Sequence, residues 1–152
     1  MNADVNILNI VIYVIIPSTI TNIGKYAFQD CTALSTITVP SSVTVVDHAA
    51  FHNCTSLKDV VVGSEVKVLG MSAFESCNNL TNVTLGGNMS NSTMEIGNGA
   101  FANCTSLTYL TLNSEVDVIV DDAFSSCTSL QSVTLQGTVS SIGERAFENC
   151  SS

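Results

Sequence analysis

Apolar residues return along this chain in fixed columns. Phenylalanine stands at positions 28, 51, 74, 101, 124 and 147, at intervals of 23, 23, 27, 23 and 23. Each follows an alanine, and each is followed three residues later by a cysteine, from Cys31 to Cys150. An aliphatic residue lies five positions before each phenylalanine: Ile23, Val46, Leu69, Ile96, Ile119 and Ile142. A leucine lies three positions after each of the first five cysteines, at Leu34, Leu57, Leu80, Leu107 and Leu130. Polarity then alternates. Between 107 and 112, Leu107, Leu110 and Leu112 fall on one side and Tyr109 and Thr111 on the other. Alternation of period two predicts a strand with one buried face.

One such unit cannot bury its apolar columns alone, but stacked units bury them on each other. A period of 23 lies in the range of leucine-rich solenoids. The predicted fold is therefore mainly β: a solenoid of about six stacked coils with a parallel sheet along one side. The Ala-Phe-x-x-Cys segments are too short for a stable helix and are expected to form single helical or 3₁₀ turns. Gly24, Gly70, Gly97 and Gly143 follow the aliphatic column and are expected to permit a tight bend. Asp47 and Val120 replace glycine in that column. The 27-residue step carries four extra residues between Gly86 and Thr93, which read as a loop on one face.

The whole chain, 1–152, reads as one repeat domain, with 11–152 as repeats and 1–10 as an irregular cap or partial coil. The sequence stops at Cys150-Ser151-Ser152, before the next leucine, with no polar cap. The expectation is a piece of a longer array.

The columns I-G-x-x-A-F-x-x-C-x-x-L resemble the BspA-like leucine-rich repeats, also called the Treponema pallidum type. The clearest copies run from Ile23 to Val39 and from Ile96 to Leu112. That resemblance implies a cell-surface or secreted location, and adhesion to host or matrix proteins through a protein-interaction module. A passive spacer or intracellular scaffold with no dedicated ligand is the alternative.

Charge narrows the partners. The chain carries 13 acidic and 4 basic residues, a formal net charge of −9. Lys25, Lys58, Lys67 and Arg145 are scattered, so no basic patch exists for nucleic acid or anionic lipid. The one long apolar run, 7–16, is too short to span a membrane, which takes about 20 residues. It also lacks the basic start of a signal peptide.

Little points to chemistry. The six cysteines are expected to line the core as a ladder of buried thiols, with three disulfides as the other reading. His48 and His52 are close in sequence but have no third partner, and Asp121 and Asp122 lack the spacing of a calcium loop. No enzyme activity, metal or cofactor is expected. Seven N-x-S/T sequons occur, of which Asn88 and Asn91, in the inserted loop, are the best glycosylation candidates. The outward strand positions form the candidate binding face. One column runs through Asp59, Asn82 and Tyr109 and a second through Thr84 and Thr111, with Tyr109 the aromatic anchor near the middle.

Overall fold

A computed structural model describes residues 11–86, 93–113 and 115–152. The stacked coils form as expected, and they carry two parallel sheets rather than one. The first holds the alternating segments, one per coil: β2 (Thr36–Val39), β4 (Asp59–Val62), β6 (Asn82–Leu85), β8 (Tyr109–Leu112) and β10 (Ser132–Leu135). Each pairs with the strand one coil away, and Tyr13 extends the sheet through a bridge to Thr36. β2, β4, β6 and β8 show the expected alternation, with the second and fourth residues buried.

The second sheet is built on the aliphatic column before each phenylalanine. It contains β1 (Asn22–Ile23), β3 (Val45–Val46), β5 (Val68–Leu69), β7 (Thr93–Ile96), β9 (Glu115–Ile119) and β11 (Val139–Ile142). Its strands lengthen from two residues to four or five after the 27-residue step, where the register shifts between Met94 and Glu95. Asp47 and Val120 do not disturb the stacking, because β3 and β9 pair on both sides.

The Ala-Phe-x-x-Cys segments are not helical turns. They form a third hydrogen-bonded wall. Alternate N–H groups close turns within a coil, as Ala27 to Gly24, Gln29 to Tyr26 and Cys31 to Phe28. The N–H groups between them reach the next coil, as Tyr26 to His48, Phe28 to Ala50 and Asp30 to His52, at 2.7–3.1 Å. A helix is prevented because two residues per segment are left-handed. Ser72 and Ser76 flank Phe74 at φ 57° and 61°, and Gly99 and Asn103 flank Phe101 at 58° and 60°. That conformation turns every second N–H along the stack axis.

The core is a set of axial columns. Phe51, Phe74, Phe101 and Phe124 are fully buried, and consecutive rings lie nearly parallel with centroids 4.9–5.2 Å apart. The strand spacing of about 4.8 Å imposes this distance. All six thiols are free, and five are buried. From Cys54 onward, each Sγ donates to the phenylalanine carbonyl of the preceding coil, at 3.1–3.3 Å. A small side chain that also donates a hydrogen bond suits that position, since the carbonyl is otherwise shared only with a turn N–H.

Candidate functional site

The first sheet places the expected residues together. Asp59, Asn82 and Tyr109 are direct partners across β4, β6 and β8, and Val61, Thr84 and Thr111 are partners two residues on. Asp59, Asn82, Val61 and Tyr109 are exposed, while Thr84 and Thr111 are half-buried. Tyr109 is 54% exposed. Asn82 Nδ2 donates to Asp59 Oδ1 at 2.7 Å and to Thr81 Oγ1 at 3.2 Å. This fixes the amide orientation and leaves its carbonyl oxygen without a hydrogen bond among the described residues. The face thus presents, at one-strand intervals, a carboxylate, an oriented amide and a phenol, beside a row of hydroxyls and one valine.

Tyr13 and Ile15 extend the same outward columns, at the residues one coil before Thr36 and Thr38, and were not among the expected site residues. They are among the most exposed large apolar residues, at 71% and 82%. With Thr36, Thr38 and Pro40 they line a surface cavity of about 380 Å³. Their signal was available, since Tyr13 and Tyr109 are the two aromatics of one outward column. Asn88 and Asn91 lie outside the described residues.

Three carboxylates outside this face, Asp30, Asp121 and Asp122, bridge neighbouring coils. Asp121 Oδ1 accepts the Glu144 N–H at 2.8 Å, and Asp122 takes a two-point ion pair from Arg145 at 3.0 and 3.2 Å. That bond holds the Asp122 carboxyl below its usual range. Asp30 is lowered as well, chiefly by the Asn53 amide, which donates to it at 2.8 Å. Among the described residues, no three His, Cys, Asp or Glu side chains converge as a metal site. No helix among them is long and apolar enough to cross a membrane.

Comparison with known proteins agrees with this architecture. The profile of the BspA type leucine rich repeat region matches residues 8–94 and 88–152, in six copies. No curated protein matches the sequence. Among solved structures, a leucine rich cell surface protein from Faecalibacterium prausnitzii is 34% identical, with a TM-score of 0.65. The match covers 85% of this chain and 34% of that protein, so the chain spans about a third of its length. The leucine rich repeat protein of T. pallidum is 22% identical, with a TM-score of 0.68 over 92% of this chain and 77% of that one. A leucine-rich repeat protein from Eubacterium ventriosum is 23% identical, with a TM-score of 0.71 over 93% of this chain and 43% of that one. The last two likenesses concern the fold. The extent of the profile match, over nearly every coil, establishes that the chain belongs to the BspA-type leucine-rich repeat family.

Proposed function

We propose that this chain is a protein-interaction module of a surface-exposed repeat protein, and that it adheres to host-surface or matrix proteins through the first sheet. The observation that carries this reading is the Asp59–Asn82–Tyr109 column. Three chemically different groups stand exposed at strand spacing on a face whose register is fixed by backbone pairing. Such a face is rigid before binding, so little ordering entropy opposes association. Tyr109 supplies the anchor, Asp59 and the Asn82 amide supply orientation, and Thr84 and Thr111 line the flank. The cell-surface description of the F. prausnitzii relative supports the location.

Binding of the purified chain to immobilised matrix proteins tests the reading. Saturable binding is expected, and Tyr109→Ala should weaken it by roughly tenfold or more, the scale of an aromatic anchor. Asp59→Lys should weaken it further, with unchanged circular dichroism in both variants. Non-saturable binding, or indifference to both substitutions, would return the chain to a passive spacer. Antibody labelling of intact source cells checks the location. Labelling only after permeabilisation would contradict it.

A further inference from the structure

A second site lies on the outer side of the turn wall, away from the sheet face. Tyr26, Gln29, His48, His52, Ser72 and Glu75, from three successive coils, line an open cavity of about 240 Å³. Pockets that enclose whole small molecules start at about 300 Å³. The cavity therefore suits the end of one side chain.

Its lining is rich in acceptors. His48 Nδ1 lies 3.0 Å from the Met71 carbonyl, which can only accept. Nδ1 therefore carries a proton, and in the neutral form of the ring Nε2 is an acceptor. Gln29 Nε2 donates to Asp30 Oδ2 at 3.2 Å, which leaves the Gln29 carbonyl oxygen unused. The Glu75 carboxylate has no ion pair or hydrogen bond among the described residues. The ionised Asp30 carboxylate behind Gln29 adds negative potential. Tyr26 is 53% exposed, and its ring meets that of His48 edge-on at 5.1 Å. His52 Nδ1 is the one buried side-chain nitrogen or oxygen without a partner among the described residues. A buried unpaired nitrogen costs stability that a partner's hydrogen bond would return, and the same ring helps to lower the Asp30 carboxyl.

We propose that this cavity receives an arginine side chain of a protein partner. A guanidinium carries several donors in one plane, matching a carboxylate, an amide oxygen and an imidazole nitrogen presented together. It also stacks on an exposed tyrosine ring. The chain's net charge of −9 favours approach of a basic partner.

Titration of the full chain with a hexa-arginine peptide tests this, with hexa-lysine in parallel and side-chain NMR as readout. Hexa-arginine is expected to shift the Tyr26, His48 and His52 ring signals and to bind more tightly than hexa-lysine. Glu75→Gln should weaken binding roughly tenfold, the value of one charge-assisted hydrogen bond. His48→Ala is a second variant that removes an acceptor without changing the carboxylates. Asp117→Asn, which removes an equal charge from an exposed position on β9, should change binding by less than about twofold. Equal loss in Glu75→Gln and Asp117→Asn would overturn the proposal, as would equal affinity for hexa-lysine. So would binding that leaves the three ring signals unmoved.

Discussion

The cysteine column joins packing to proton chemistry. Burial pushes the Cys127 thiol up to about 12, with Cys150 adding to the shift, and pushes Cys31 up to about 11. Cys104 is driven up chiefly by its complete burial. An unfolded thiol loses its proton near about 8.5. Above that pH the unfolded chain releases protons that the native chain retains. The stabilisation from these thiols is thus complete below about pH 8.5 and is lost as pH rises towards 11–12. Each thiol takes away up to about 1.4 kcal/mol per pH unit across that window. Urea denaturation at about pH 7, 9 and 10 should show stability falling between the last two, and Cys127→Ala should flatten the slope. A level response would mean that these thiols titrate freely in the native state.

At the scale of the element, the turn wall depends on two glycines for different reasons. A Cβ on Gly97 would sit 2.6 Å from the Leu69 carbonyl oxygen and 2.9 Å from the Gly70 carbonyl carbon, which are backbone atoms of the coil before. Gly99 has room, its nearest contact being 3.7 Å, but it sits at φ +58°. Gly99→Ala should therefore cost about 1 kcal/mol from the left-handed conformation alone. Gly97→Ala should cost more, because two coils must separate. The reverse order in thermal or urea melts would contradict the close approach. This contrast also shows what was legible beforehand. Column spacing revealed the coils, the core and the outward face, because burial repeats with the period. The wall stayed hidden because the first left-handed position of each segment is filled by Tyr26, Ala49, Ser72, Gly99, Asp122 and Arg145, which share no side-chain property, while the second, filled by Asp30, Asn53, Ser76, Asn103, Ser126 and Asn149, carries short polar residues that also suit ordinary turns. The second sheet was missed because β1, β3 and β5 are two residues long, too short to show alternation. The Asp59 and Asn82 positions could be read from the strand pattern. The hydrogen bond that orients the amide depends on register across coils, which a linear pattern carries only indirectly.

For the whole molecule, stability is a sum of contacts between neighbouring coils. Leu112 and Leu135 are register partners in the same inward column, on β8 and β10. Leu112 is 1% exposed and Leu135 is 48% exposed, because β8 is paired on both sides and β10 on one among the described residues. The same substitution should therefore have unequal effects. Leu112→Ala opens a cavity between two coils and should cost about 2–5 kcal/mol. Leu135→Ala removes a side chain already half in water and should cost less than about 1 kcal/mol. Chemical denaturation of both variants measures the difference directly. Equal losses would show that another surface covers β10 in solution. A concentration dependence of the Leu135→Ala effect would identify that surface as a second copy of the chain, since association couples apparent stability to concentration.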